Sequence, residues 1–349
     1  MRIIIDVMGS DNGPDALVAG AVRALNDHEG LSVTLVGDEG QIRQVLAREK
    51  ALEDQRIRVV HTTEVIDMHD SPTLAFRRKK DSSLSVALNL LAQGEGDAAL
   101  SAGNTGAVLA GSTFVLKRIK GIRRPALAPC LPTKSGYSLL IDCGANVVCN
   151  PEDMVQFAFM GSQYVEKLLG VKNPRVGLIN NGAEDTKGTP MHVEAYQLLK
   201  QADQEGLIRF VGNVEGRDIA LGAADVLVTD GFTGNVVLKT YEGLGLYLVG
   251  ILKGMFKKNI LTMLAALLVK GGLNDLKQTM DYKKVGGAPL LGISRPVIKA
   301  HGSSDPEATR SAVAQACRYV QSGILEEIAD KAPALAAFRP ARKEETAGE

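Results

Sequence analysis

The chain has 349 residues, 45% of them apolar, and its 40 lysines and arginines balance 40 aspartates and glutamates. Neutral charge and an aromatic content of only 4% argue against a nucleic-acid partner, and the apolar content argues against extensive disorder. Cys130, Cys143, Cys149 and Cys317 show no Cys-x-x-Cys spacing and no histidine cluster, which suits cytosolic thiols rather than a disulfide framework or a zinc site.

Taken in order, the chain alternates strand and helix patterns. Ile3 to Val7 reads as a first strand, and the apolar run within Met1 to Asp6 is too short for a signal peptide. The turn Met8 to Pro14 leads into a helix over Ala16 to Leu25, with proline suited to its first turn. Strands at Val33 to Val36 and Ile57 to Val60 flank a helix at Gln41 to Ala47, the signature of a parallel sheet. Met68 to Leu91 reads as mainly helical and carries the cationic run Arg77-Arg78-Lys79-Lys80, either a solvated face or a contact for an acidic partner or phosphate.

Asp97 to Val108 aligns without a gap on Asp225 to Val236, so one Gly-x-Thr-Gly turn occurs twice, at Gly103 to Gly106 and at Gly231 to Gly234. Each follows an apolar strand run and precedes a helix, where free N–H groups suit an anion. Between them lie strands at Ala126 to Leu131 and Tyr137 to Ile141, able to pair as a hairpin, and the polar loop Asp142 to Asn146. A helix from Glu152 to Leu169, a strand from Val176 to Ile179, the polar loop Asn180 to Thr189 and a helix from Met191 to Leu199 follow. Polar loops at strand ends are where open α/β sheets carry their chemistry.

Leu244 to Leu252 and Ile260 to Val269 are almost wholly apolar, separated by Lys257-Lys258-Asn259. Each run falls short of the roughly 20 residues that cross a bilayer, so a helical hairpin over residues 244–272 is expected to lie on a membrane, in a homodimer interface, or in both. A strand from Ile293 to Lys299 leads to His301-Gly302-Ser303-Ser304-Asp305, and Pro306 opens a helix through Ala308 to Ile328. Residues 339–349 are charged and expected to be a disordered tail, and no linker divides residues 1–338 into separate domains.

Together these loops resemble the bacterial phosphate acyltransferases of phospholipid synthesis. The matching residues are Asp6 to Asp11, Ser101 to Ala107, Asp142 to Asn146, Phe159 to Ser162, Glu184 to Gly188, Asp230 to Asn235 and Ala300 to Ser304, spanning most of the chain. The resemblance implies an α/β, Rossmann-like three-layer α/β/α fold with a mostly parallel sheet, usually a homodimer at the cytoplasmic face of the membrane. It also implies transfer of a fatty acyl group from acyl-acyl carrier protein to inorganic phosphate. A phosphotransacetylase acting on acyl-coenzyme A and a non-enzymatic membrane scaffold are the competing readings.

Such a reaction needs an anion held beside a thioester carbonyl and donors for the developing oxyanion. Lys187, in a glycine-flanked loop, and Asn235, beside the second turn, are the expected catalytic groups, with His301 a candidate to protonate the leaving thiolate or contact phosphate. Substrate binding is assigned to Asp11, Ser101, Gly103, Asn104, Thr105, Gly106, Asn146, Asp230, Gly231, Thr233 and Gly234, with turn structure the competing role. Asp11 and Asp230 suit loop orientation better than base catalysis. No histidine lies near Cys143 in sequence, which argues against an acyl-enzyme at that thiol. Lys253, Lys257, Lys258, Leu261 and Leu264 are expected to meet anionic lipid or an acidic carrier protein. No metal or tightly bound cofactor is expected.

Overall fold

Alternating side chains on the first strand set the layers. The computed structural model describes residues 1–272 and 286–338. In β1 (Arg2–Asp6), Ile3 and Ile5 join Leu17 and Val18 of α1 (Gly13–Asp27), while Ile4 joins Leu84 and Leu88 from the opposite face. The expected α/β/α layering follows, because a strand alternates its side chains between faces. β2 (Ser32–Gly37), α2 (Glu39–Arg48) and β3 (Ile57–His61) come next, followed by α3 (Pro72–Arg78), α4 (Ser83–Ala92), β4 (Ala98–Ser101) and α5 (Thr105–Gly111).

The strands divide between two sheets. β5 (Ala126–Leu127), β11 (Ala288–Leu291) and β12 (Val297–Lys299) complete a seven-stranded sheet in the order β3-β2-β1-β4-β12-β11-β5. β6 (Cys130–Thr133), β7 (Gly136–Ile141), β8 (Arg175–Asn180), β9 (Arg209–Glu215) and β10 (Val226–Val228) form a second, in the order β6-β7-β10-β8-β9. Pairing is mostly parallel, with antiparallel contacts at β6·β7, β5·β11 and β11·β12. α6 (Pro151–Leu169) and α7 (Pro190–Gln204) cover one face of the second sheet and α8 (Gly231–Phe256) begins on the other. One apolar cluster joins Leu100 and Ile298 of the first sheet to Leu139 and Val226 of the second, through Phe157 and Met160 of α6.

Four expected elements are broken. Pro72 starts α3, and Ser82 caps α4 by accepting from the Ser85 N–H at 3.3 Å, so Met68 to Leu91 is two helices around a turn. Ala126 to Leu131 is two strands in different sheets, since Pro129 has no N–H for a ladder. The late strand is only Val297–Lys299, with β11 before it and a turn between them at Gly292, whose φ is +87°. The last helix is α10 (Pro306–Gln321) and α11 (Ile324–Leu335), parted at Gly323, φ +68°. Asp305 caps α10, accepting from the Ala308 N–H at 2.8 Å. β9 and β11 have no counterpart in the sequence reading. The expected tail, residues 339–349, lies outside the described residues.

Candidate active site

Three parallel strands end in one row. Asp6, Ser101 and Lys299, the last residues of β1, β4 and β12, are register partners, Asp6 with Ser101 and Ser101 with Lys299. Ser101 Oγ donates to Asp6 Oδ2 at 2.7 Å and accepts the Gly103 N–H at 3.1 Å, which shapes the first Gly-x-Thr-Gly turn. Asn104 then caps α5, its Oδ1 accepting from the Ala107 N–H at 3.0 Å and its Nδ2 donating to Met68 O at 3.1 Å. Ser101 and Asn104 are buried and spent on the turn.

The second sheet offers the facing edge. Asp142, fully buried after β7, accepts from the N–H groups of Leu127, Cys143, Ala145 and Asn146 at 2.9, 2.6, 3.2 and 2.6 Å. Burial raises its carboxyl and these donors pull against that rise. Asn146 Nδ2 donates to Pro125 O and Asp142 Oδ2, and Asn146 O accepts the Gly231 N–H at 2.8 Å. Asp230 caps α8, accepting the Thr233 N–H at 2.9 Å and the Thr233 hydroxyl at 2.8 Å, while its carbonyl takes the Gly234 N–H. Much of the second turn's donor capacity is therefore used internally. Its glycines are needed for close approach: a Cβ on Gly234 would lie 1.9 Å from Asp142 O, and one on Gly231 2.6 Å from Asn146 O.

Between the two edges lies a cleft of about 490 Å³. Asp11, Thr105, Gly106, Lys299 and His301 line it from the first sheet, and Gly144, Asn235, Lys239 and Glu242 from the second. Of the residues singled out in the sequence, it brings together Asp11, Thr105, Gly106, Asn235 and His301. Ser101, Gly103, Asn104, Asn146, Asp230, Gly231, Thr233 and Gly234 form its supporting loops and do not line it. Lys187 is exposed in the loop after β8, where its carbonyl accepts from Asn180 Nδ2 at 3.0 Å, and it too does not line the cleft.

Lys239, Tyr241, Glu242 and Lys299 went unassigned in the sequence. Asn235, Leu238, Glu242, Gly245 and Val249 recur every three or four residues, so helical periodicity was the available signal for the α8 wall. Glu242 Oε2 pairs with Lys239 Nζ at 2.7 Å, and its Oε1 lies 3.8 Å from His301 Nε2. Burial lowers His301, against the opposing charge of Glu242 and with help from Lys239 and Lys299, which favours the neutral imidazole. Lys299 is 7% exposed, and burial pushes its ammonium down to about 8 against the pull of Asp6 and Asp11. Cys143 is buried, donates to Gly234 O at 3.4 Å, and has its thiol pushed far up by burial and by Asp142, so it is not a ready nucleophile. Among the described residues no group of three His, Cys, Asp or Glu side chains could hold a metal.

A family model described as "Fatty acid synthesis protein" matches residues 1–327. The chain belongs to this family. Among similar relatives, a phosphate acyltransferase of Alkaliphilus oremlandii is 48% identical over 335 residues, 96% of this chain and 98% of the relative. One from Geobacillus sp. is 48% identical over 329 residues, 94% of this chain and 97% of the relative. Among solved structures, a phosphotransacetylase from Streptococcus pyogenes superposes with a TM-score of 0.62 at 16% identity, covering 92% of this chain and 94% of that one. A branched-chain phosphotransacylase from Enterococcus faecalis does so with a TM-score of 0.58 at 15% identity, covering 92% and 99%. These two likenesses show the fold of this chain; the family model and the sequence relatives show its membership.

Proposed function

We propose that the protein is an acyltransferase that moves a long-chain fatty acyl group from acyl-acyl carrier protein to inorganic phosphate, giving acyl-phosphate for glycerophospholipid synthesis. The observation that carries this reading is the match, across 96% of the chain, to a phosphate acyltransferase 48% identical to it. The cleft suits the chemistry: cationic and neutral donors lie near the strand ends, and Leu131, Leu238, Leu246 and Val249 give it an apolar wall.

In the transfer a phosphate oxygen attacks the thioester carbonyl carbon. A C–O bond forms, the C–S bond breaks, and the pantetheine sulfur leaves with the electron pair and takes up a proton. Phosphate is already anionic near pH 7, so positioning and oxyanion stabilisation carry the rate. Asn235 is the proposed oxyanion donor, its Nδ2 standing where a Cβ on Gly144 would come within 3.1 Å. Lys187 is a proposed cation for the phosphate, from an exposed loop that does not line the cleft. His301, its neutral form favoured by burial, suits contact with phosphate better than donation of a proton to the thiolate.

The distal half of α8 and α9 (Ile260–Leu268) bears Leu246, Leu261, Leu264 and Leu268, exposed by 76%, 73%, 55% and 89%. So large an apolar surface calls for a cover, and we assign it to the cytoplasmic membrane face and a homodimer partner, with Lys253, Lys257 and Lys258 toward anionic lipid or the acidic carrier protein. No helix among the described residues is long and apolar enough to cross a membrane.

The test is formation of acyl-phosphate from palmitoyl-acyl carrier protein and inorganic phosphate, with wild type beside Lys187→Ala and Asn235→Ala and folding checked by thermal melt. Loss of about 100-fold or more in kcat in folded variants is expected, the usual cost of removing one oxyanion donor. Activity with acyl-coenzyme A alone moves the reading to a phosphotransacetylase; no activity with either donor reopens a non-enzymatic role.

A further inference from the structure

Among the described residues Lys299 is the one lysine that the seven-stranded sheet brings to the cleft wall, and none of their carboxylates holds it in a routine structural ion pair. Its Nζ donates to the carbonyls of Ala102 and Ala300, which leaves one of its three N–H bonds beyond those two acceptors. No carboxylate among the described residues lies within ion-pair distance of it; Asp6 and Asp11 act on it through space, as does Lys239 across the cleft. Asp6 is itself buried and engaged by Ser101 and by the Met8 N–H at 3.2 Å. Burying an ammonium without a contacting carboxylate is costly, and such a cost is commonly met where an anionic ligand completes the site.

We propose that Lys299 is a catalytic residue that binds the inorganic phosphate nucleophile, holding it on the wall formed by β1, β4 and β12 while the acyl thioester lies along α8. The assignment rests on the acyl-transfer reading above and adds a residue and a division of labour to it. The row Asp6-Ser101-Lys299 fixes the ammonium, because its backbone is a sheet interior and its stem is enclosed. A phosphate bound there lies on the same wall as Thr105, Gly106 and His301, and faces Asn235 on the other.

Two measurements test it. In steady-state assays, Lys299→Met should raise KM for phosphate by about 10- to 100-fold, the worth of a charge-assisted hydrogen bond, and leave KM for the acyl donor nearly unchanged. A folded Lys299→Met protein whose phosphate KM is unaltered overturns the proposal, as does an equal rise in both KM values. The second measurement uses wild type and so does not depend on the variant folding: the ε-carbon resonances of ¹³C-labelled lysine are followed through a pH titration. The lysine titrating near 8 should shift its midpoint upward as inorganic phosphate is added at constant ionic strength, because a bound dianion favours the ammonium. No movement of that midpoint overturns the proposal. A wild type that transfers no acyl group to phosphate defeats the enzymatic reading instead, and the titration still reports on Lys299 by itself.

Discussion

Asp142 binds Asn146 twice, accepting its backbone N–H at 2.6 Å and its side-chain amide at 3.0 Å. The same carboxyl accepts the Leu127 N–H from β5, a strand of the other sheet, at 2.9 Å. One buried side chain thus holds the loop beneath Asn235 and ties the two sheets together at the edge that forms the cleft.

Removing it should unfasten that edge. Asp142→Ala leaves several buried N–H groups without an acceptor and is expected to cost about 3–5 kcal/mol in urea unfolding, since each orphaned donor costs about 1–3 kcal/mol. A loss below about 1 kcal/mol would mean that water or a shifted loop replaces the carboxylate, and the clamp would not hold the site.

Acid should weaken the second sheet through Asp225. Arg175 grips it with Nη2 at 2.9 Å and Nε at 3.2 Å, and with its backbone N–H at 2.8 Å. Burial by itself would raise Asp225, but these bonds and the guanidinium charge hold it below the ordinary carboxylate range. A carboxylate depressed in the folded state stabilises above its unfolded value of about 3.9 and loses that contribution as pH falls through the folded value. Asp225→Asn should therefore lower the unfolding free energy from urea melts at pH 7 by about 1 kcal/mol, as for a partly exposed pair, and flatten its fall below pH 4. An unchanged acid limb would assign the fall to other carboxylates.

The apolar end of α8 and α9 gives the third prediction. Leu261→Glu with Leu264→Glu should release the protein from vesicles containing anionic lipid, read by co-sedimentation, and leave the thermal melt in place because both leucines are exposed. Retained vesicle binding would remove the membrane role, and loss of dimer in gel filtration with binding retained would assign the surface to the partner subunit.

Local signals in the sequence were enough for the alternation of strands and helices, the repeated Gly-x-Thr-Gly turn, and the loops after β1, β4, β7 and β10. Strand periodicity, caps and glycine turns act over a few residues, so they are visible without the fold. Elements whose ends depend on tertiary partners were misread: Ala126 to Leu131 looks like one apolar strand, and only Pro129 and the passage between two sheets divide it. β9 escaped because its side chains are mostly exposed or half-buried and carry no clear period.

The site divided in the same way. Composition and motif order by themselves determined the α/β class and the resemblance to phosphate acyltransferases, because chain order and turn chemistry are written locally. Only the tertiary structure decided which residues meet. It turned Asn104, Asn146 and Asp230 inward as caps and clamps, left Lys187 on an exposed loop, and brought Lys299, Lys239 and Glu242 to the cleft. The physical reason is register and helical phase: Lys299 meets Asp6 and Ser101 because three parallel strands distant in sequence stop in the same row.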